Sequence, residues 1–185
     1  SGYATKRNCS IGVLGDSYTE AGSLGASYTS RYATEAERQL GREMAISAKA
    51  GAKSRDGLKW LNDYYLDTYH PEWVVLEFGM NDLNFDTWKK NMEHMIGILE
   101  SNGIKPILST VPPSGVESKL VYNSMHRQMS EWVRKSGYPY LDWEYYMTKN
   151  HDRYTLDPSC YYRDLVHHSA SVHTYITKQL VDIVK

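Results

Sequence analysis

The stretch Ile11-Gly12-Val13-Leu14-Gly15-Asp16-Ser17-Tyr18-Thr19 decides how this chain folds. Its apolar run stops abruptly at Gly-Asp-Ser, and an apolar run bounded by turn residues is typical of a buried strand that ends in a loop. In an open α/β sheet, ligands bind beyond the carboxyl ends of the strands. We therefore expect Ser17 at a ligand-binding edge. Because a serine hydroxyl is a weak nucleophile, a reactive Ser17 would need a base, a group that orients the base, and oxyanion donors.

The rest of the chain alternates apolar runs with segments of helical periodicity. Four further strands are predicted at about Glu43–Ala48, Trp73–Phe78, Ile104–Val111 and Tyr138–Trp143. Helices are predicted from about Tyr28 to Leu40, after the cap Ser54, from Asp86 or Thr87 to about Asn102, from after Gly115 to about Lys135, and from Ser169 to Val184. This alternation predicts a mostly parallel, five-stranded sheet in a three-layer α/β/α sandwich. The flavodoxin-like order 2-1-3-4-5 would put the crevice beside strand 1, in one domain over residues 1–185.

Composition narrows the classes of partner. The chain has 185 residues, 41% of them hydrophobic and 23% charged, and a net charge of −1. This balance argues against nucleic acid or an anionic membrane as partner. No apolar run approaches the ~20 residues of a membrane span. The sequence does not indicate an oligomeric state.

The two cysteines bear on the compartment. Cys9 precedes the first strand, whereas Cys160 lies just before the loop that we expect at the opposite edge of the sheet. We expect no disulfide between them, which fits a reducing compartment. A cytoplasmic location is therefore favoured, and secretion stays open if a leader has been removed.

Three strand ends and one late loop carry candidate chemistry. Asp164-Leu165-Val166-His167 places an acid three residues before a histidine, so one short loop could supply both the base and its orienter. His167 could accept the Ser17 proton while Asp164 stabilises the imidazolium. The backbone amides of Ser17 and Gly51 and the side-chain amide of Asn81 are candidate oxyanion donors.

Taken together, these blocks resemble the SGNH hydrolase family, also called GDSL-type esterases. Its first block is Gly-Asp-Ser, here at residues 15–17, its third is Gly-x-Asn-Asp, here at 79–82, and its fifth is Asp-x-x-His, here at 164–167. The resemblance implies an α/β/α sandwich, a Ser17–His167–Asp164 triad, an oxyanion hole of Ser17, Gly51 and Asn81, and ester hydrolysis through an acyl-enzyme without a metal or other cofactor. Tyr18 stands where the family name has Leu, and Gly51 has no further signature around it.

Rival assignments involve other histidines and acids. His168 and His173 are rival bases, but the Asp-x-x-His spacing favours His167, and His168 is expected at the surface or behind the site. Asp152 and Asp157 are rival orienters farther from His167 in sequence. A metal site could be assembled from the residues His151, Asp152, Asp164, His167, His168 and His173. Their spacing matches no zinc motif, so we expect no metal.

The substrate is predicted from loop length and aromatic content. Only Leu83, Asn84 and Phe85 precede Asp86, where the next helix is predicted to begin, so no long lid is visible and a short acyl group such as acetyl is favoured. The chain is rich in tyrosine, and aromatic rings near the catalytic edge could stack on a sugar. These residues are Tyr18, Tyr28, Trp88, Tyr161 and Tyr162. The leading hypothesis is an esterase that deacetylates carbohydrate. The alternatives are a thioesterase or lysophospholipase, an acyltransferase, and a non-catalytic carbohydrate-binding module.

Overall fold

A computed structural model describes residues 8–20 and 31–185. Its sheet has five parallel strands in the order β2-β1-β3-β4-β5, which confirms the predicted order. The strands are β1 (Ile11–Gly15), β2 (Met44–Ala48), β3 (Trp73–Glu77), β4 (Lys105–Ser109) and β5 (Tyr140–Leu141). All five residues of β1 are buried, as expected for a central strand covered on both faces.

Helices cover both faces of the sheet. The α-helices of the described residues are α1 (Ser17–Glu20), α2 (Tyr32–Leu40), α3 (Ser54–Trp60), α4 (Leu66–Thr68), α5 (Phe85–Ser101), α6 (Glu117–Leu120), α7 (Asn123–Lys135), α8 (Trp143–Tyr146) and α9 (Ala170–Val184). A π-helical segment, Leu61–Tyr65, connects α3 to α4, and short 3₁₀ helices span Lys149–His151 and Pro158–Cys160. Helix α2 packs on α9, and α3 and α7 pack on α5, so the strands lie between two helical layers. Among the residues that the structure describes, no helix is both long and apolar enough to cross a membrane.

The local predictions needed several corrections. The helix expected up to Lys135 is divided into α6 and α7, because Asn123 uses its side chain to bind the loop before α6. The fifth strand ends at Leu141, since the Asp142 side chain accepts the N–H of Tyr145 at 3.2 Å and begins α8 instead. Ser17 lies in the short helix α1 rather than in a loop. The predicted helix start at Tyr28, and residues 21–27 of the predicted loop, lie outside the described residues.

The register of the sheet positions the candidate site. Gly15 lies beside Ala48 on one side and beside Glu77 on the other, so β1, β2 and β3 end level with one another. The segments that follow these strands carry Ser17, Gly51 and Asn81. The three residues therefore lie at one edge of the sheet, as the alternating pattern predicted.

Candidate active site

Ser17 begins helix α1, immediately after the central strand. Its side chain is mostly buried, with 8% of the residue exposed. The preceding Asp16 accepts the backbone N–H of Tyr18 at 2.9 Å, which fixes the turn between the strand and the helix. Ser17 Oγ lies 2.7 Å from His167 Nε2.

The Asp164 side chain accepts hydrogen bonds from residues of the Asp164–His167 loop and stabilises its turn. Asp164 Oδ2 lies 2.6 Å from His167 Nδ1, and Asp164 Oδ1 accepts the backbone N–H groups of Val166 and His167, both at 3.0 Å. Leu165 between them has a φ of 57°, which allows this tight turn. Partial burial alone would raise the pKa of Asp164, but the hydrogen bonds from His167 and Val166 outweigh it and hold that pKa below its ordinary value. Asp164 is thus an ionised partner for His167.

Two neighbouring segments hold this loop in place. The buried Tyr18 hydroxyl donates to the carbonyl oxygen of Val166. Gly115, in the loop after β4, donates its N–H to the carbonyl of Leu165 at 2.7 Å. The same loop is fixed by Tyr161, whose hydroxyl donates to the carbonyl of Pro113. The loop that carries the imidazole is therefore held by hydrogen bonds from two other segments.

Asn81 lies in the turn after β3, with its side chain held at both ends. Its Nδ2 donates to the carbonyl of Ala52 at 3.1 Å, and its Oδ1 accepts from Lys119 Nζ at 3.3 Å. Asp82 binds the start of α3, where it accepts the Ser54 N–H and the Ser54 hydroxyl. Asp82 therefore supports the turn.

Gly51 lies in the exposed turn between β2 and α3. Its φ of 80° belongs to the left-handed region that glycine adopts without a side-chain clash. The turn is tied to the central strand because Lys49 donates its N–H to the carbonyl of Gly15 at 3.1 Å. A glycine here leaves the backbone open to close approach by a ligand.

Glu77 is a buried acid that sequence reasoning missed, and it contacts the turn that carries Ser17. Glu77 ends β3, is 4% exposed, and accepts the Thr19 hydroxyl at 2.8 Å and the Asp16 N–H at 3.3 Å. Burial, followed by the neighbouring Asp16 carboxyl, raises the pKa of Glu77 well above its ordinary value. Burial also raises the pKa of Asp16 to about 6. The pair therefore retains a proton in conditions where exposed carboxyls are ionised. The available signal was a charged residue in an otherwise apolar strand.

Three of the aromatic predictions are wrong. Tyr18, Trp88 and Tyr161 are only 2%, 0% and 6% exposed, so no ring face is free to stack on a sugar. The hydroxyls of Tyr18 and Tyr161 donate instead to backbone carbonyls of Val166 and Pro113. Trp88 Nε1 donates to the carbonyl of Phe78 at 3.0 Å. Tyr162 is partly exposed and stays a predicted contact, whereas Tyr28 lies outside the described residues.

The rival residues have other partners. His168 is 3% exposed rather than at the surface, and its Nε2 lies 2.8 Å from His173 Nε2. Asp152 accepts the N–H groups of its own turn, and Asp157 accepts those of the turn that contains Ser159. No disulfide joins Cys9, which is buried, to Cys160, which is half-buried.

The fold places the chain in the class of three-layer α/β/α hydrolases of the SGNH type, with a serine, a histidine and an aspartate joined at the carboxyl edge of the sheet. The model of the GDSL-like lipase/acylhydrolase family matches residues 13–174. The chain therefore belongs to the GDSL-like lipase/acylhydrolase family. A comparison with curated protein sequences gives no match.

Solved structures share this fold at low sequence identity. A GDSL-like lipase from Bacteroides thetaiotaomicron is 18% identical, with a TM-score of 0.71 over 95% of this chain and 88% of that one. A catalytic mutant of Axe2, an acetylxylan esterase from Geobacillus stearothermophilus, is 15% identical, with a TM-score of 0.71 over 95% of this chain and 94% of that one. LAE5, an α/β hydrolase from the metagenome of Lake Arreo, is 15% identical, with a TM-score of 0.71 over 99% and 98%.

Proposed function

We propose that this protein hydrolyses carboxylic esters with Ser17 as nucleophile, His167 as general base and Asp164 as the group that orients and stabilises the imidazole. The observation that carries the proposal is the unbroken series of short contacts, 2.7 Å from Ser17 Oγ to His167 Nε2 and 2.6 Å from His167 Nδ1 to Asp164 Oδ2. These distances suit transfer of the serine proton to the imidazole.

In the proposed reaction, Ser17 Oγ forms a bond to the ester carbonyl carbon while its proton passes to His167 Nε2. The tetrahedral intermediate collapses by breaking the bond to the alcohol oxygen, which receives that proton from the imidazolium. A water molecule then attacks the acyl-serine and gives a proton to His167. Return of this proton to Ser17 Oγ releases the carboxylic acid and restores the enzyme. An acceptor hydroxyl in place of water would give an acyltransferase.

The proposed oxyanion donors are the backbone N–H groups of Ser17 and Gly51 and the Nδ2 group of Asn81. All three follow the level carboxyl ends of β1, β2 and β3. Donors fixed before the reaction stabilise the developing oxyanion without reorganisation. The positive φ of Gly51 and the two contacts of the Asn81 amide support these assignments.

The proposed substrates are short-chain acyl esters, with acetyl groups on carbohydrate as the first to test. Only residues 82–84 lie between Asn81 and α5, which is too short a segment to form a lid. Partly exposed Tyr162 keeps one aromatic contact available. The similarity to the acetylxylan esterase shows a shared fold and adds support only of that kind.

A second candidate is hydrolysis of longer acyl chains. Leu83 follows the Asn81 turn and is 59% exposed, and Leu120 and Val121 follow Lys119 and are 50% and 77% exposed. Lys119 contacts Met80 and Asn81, so these apolar side chains belong to segments that meet beside the proposed oxyanion hole. An apolar rim of this kind would favour thioesters or lysophospholipids.

The first experiment measures hydrolysis of p-nitrophenyl esters from acetyl to long acyl chains, together with covalent labelling by a fluorophosphonate. We expect turnover and labelling in the wild type, loss of both in Ser17→Ala, and retention of both in Ser171→Ala, which removes an exposed hydroxyl from α9. Preference for acetyl followed by release of acetate from acetylated xylo-oligosaccharides would support the first substrate class. Preference for long chains would favour the second. A folded wild type that neither turns over nor labels would overturn the proposal and favour a binding module.

A further inference from the structure

Lys119 contacts the proposed oxyanion hole, although no motif in the surrounding residues singles it out. It lies in the short helix α6, and its Nζ donates to Asn81 Oδ1 at 3.3 Å and to the carbonyl of Met80 at 3.2 Å. Both acceptors belong to the turn that follows β3. The ammonium therefore connects α6 to the segment that carries one of the three proposed oxyanion donors.

The two contacts of Asn81 determine which way its amide points. An ammonium can only donate a hydrogen bond, so the atom of Asn81 that faces Lys119 must be its oxygen. The carbonyl of Ala52 can only accept, so the atom that faces Ala52 must be the nitrogen. Ala52 uses one hydrogen of Nδ2, and within the described part of the chain the second hydrogen is left for a substrate oxygen. Without Lys119, the contact with Ala52 would be the one remaining hydrogen bond, among the described residues, that sets the orientation of the amide.

The partial burial of Lys119 removes water from around its ammonium group, which costs solvation free energy. Among the described residues, no carboxylate lies within ion-pair distance of its ammonium, and both of its hydrogen-bond acceptors are neutral carbonyl oxygens. Burial lowers the pKa of Lys119 below its ordinary value, with Asp16 acting in the opposite direction and Lys53 in the same one. A surface lysine would avoid this loss of solvation by extending into water. Its inward position is therefore maintained by the loops around it.

The loop that precedes α6 also binds the catalytic loop. Ser114 exchanges two hydrogen bonds with the side chain of Asn123, at 2.8 Å and 2.9 Å, which fixes the path of the chain on both sides of α6. Gly115 in the same loop donates to the carbonyl of Leu165. One segment thus sets the position of the Asp164–His167 loop and, through Lys119, that of Asn81.

We infer that Lys119 is a positioning residue for the ester hydrolysis proposed above: its ammonium holds the Asn81 amide with Nδ2 directed at the oxyanion. The inference rests on that proposed function. In the ground state the amide needs only to be correctly oriented, whereas in the transition state its N–H faces a full negative charge, and the ammonium beyond the amide oxygen polarises that N–H further. Loss of Lys119 should therefore lower kcat more than it alters KM.

The test is a double-mutant cycle on the full chain with p-nitrophenyl acetate. Loss of one oxyanion donor costs about 10²- to 10³-fold in kcat, so we expect a decrease of about 10- to 100-fold in Lys119→Met and a KM within about twofold of the wild type. Lys119→Arg, which keeps a cationic donor, should recover part of the loss. Lys90→Met, which removes an exposed lysine from α5, should not change kcat. In an Asn81→Ala background, Lys119→Met should cost less than about twofold, because its target is already gone.

Each outcome separates the two proposals. Equal losses from Lys119→Met in the wild-type and Asn81→Ala backgrounds would overturn the positioning role while leaving the esterase in place. So would a kcat unchanged by Lys119→Met, or a decrease matched by a loss of folded protein in thermal melts with no recovery in Lys119→Arg. A wild type without turnover and without fluorophosphonate labelling would overturn the proposed function and this inference with it.

Discussion

Gly115 and Leu165 are joined by a 2.7 Å hydrogen bond from the glycine N–H to the leucine carbonyl, and they are also packed against each other. A Cβ added at Gly115 would lie 2.8 Å from the Cβ of Leu165, closer than such atoms can approach. Leu165 is the residue of positive φ between Asp164 and His167. The absence of a side chain at position 115 therefore allows the Asp164–His167 loop to adopt its turn.

Gly115→Ala should impair catalysis more than folding. The new methyl group must displace Leu165, and displacement of a reacting group by about 1 Å can cost about 100-fold in rate, so we expect a kcat reduced by about 10- to 100-fold. Overpacking of this kind destabilises by about 1–3 kcal/mol. Steady-state kinetics and urea unfolding would measure the two effects. Gly97→Ala is the matched control, because no atom lies within 4 Å of its new Cβ in helix α5, and it should not reduce kcat. Equal kcat values for the two alanine variants would contradict this role of Gly115.

Tyr18→Phe tests whether Tyr18 braces the loop or contacts the substrate. Its hydroxyl donates to the carbonyl of Val166, and leaving a buried carbonyl without a partner costs about 1–3 kcal/mol. We therefore expect lower stability in urea and a lower kcat, with KM unchanged. Tyr138→Phe removes an exposed hydroxyl that donates to Glu100 and should change stability by less than about 0.5 kcal/mol. A rise in KM with stability unchanged would indicate instead that Tyr18 contacts the substrate.

The pH dependence of stability should carry the signature of Glu77. Because burial raises the pKa of Glu77, the folded state binds more protons than the unfolded state above the ordinary value of 4.5. The free energy of unfolding therefore falls as the pH rises above about 4.5. Glu77→Gln keeps an oxygen that can accept from the Thr19 hydroxyl and the Asp16 N–H, but it cannot ionise.

Urea unfolding at a series of pH values from 5 to 8 would measure this effect. We expect Glu77→Gln to gain stability relative to the wild type as the pH rises, by about 1–3 kcal/mol over the series. Glu144 has a raised pKa of about 7 and contributes the same slope to both proteins, so the difference reports on the Glu77–Asp16 pair. Glu131→Gln, at an exposed position on α7, should follow the wild type. A constant difference across the series would show that Glu77 does not retain its proton.

Periodicity and strand-end motifs were sufficient for the parts of the molecule that depend on local pattern. Buried parallel strands read as continuous apolar runs, so the five strands could be located, and their alternation with helices suited the 2-1-3-4-5 order that the sheet has. The Gly-Asp-Ser and Asp-x-x-His blocks located residues that lie within hydrogen-bond distance. The burial of aromatic side chains near the carboxyl edge of the sheet was not predictable. Local sequence does not distinguish an aromatic ring that faces solvent from one that packs under a loop. Tyr18 and Trp88 were misassigned for that reason.

Polar contacts between residues far apart in the sequence were also not predictable. Lys119 follows Glu117 and Ser118 in a polar stretch that looks like any solvated helix, and only the folded chain brings it to Asn81. Glu77 is a charged residue in an otherwise apolar strand, and its role became visible only with its partners Asp16 and Thr19. Both residues act on groups from other elements, and sequence spacing carries no information about such pairs.

Asp164→Asn separates the proposed orienter from its rivals. Asparagine can still accept the N–H groups of Val166 and His167, so the turn should persist, but it cannot stabilise an imidazolium. In a serine–histidine–aspartate triad this change costs about 10⁴-fold in kcat, and we expect a loss of about 10³- to 10⁴-fold. Asp152→Asn and Asp157→Asn should stay within about twofold, because both acids cap turns of their own. Kinetics with p-nitrophenyl acetate would measure all three, and a comparable loss in Asp157→Asn would reassign the orienter.

The same variant has a predictable effect on acid stability. Since the folded-state pKa of Asp164 lies below its ordinary 3.8, the wild type gains stability from the ionised carboxylate above that pH and loses it as the pH falls through the folded-state pKa. Asp164→Asn should therefore be less stable than the wild type at pH 7, and the difference should vanish in stronger acid. Urea unfolding at pH 7 and at about pH 3 would test this. A difference that grew on acidification would mean that the carboxylate costs stability, and the His167 hydrogen bond would then not be the main interaction of Asp164.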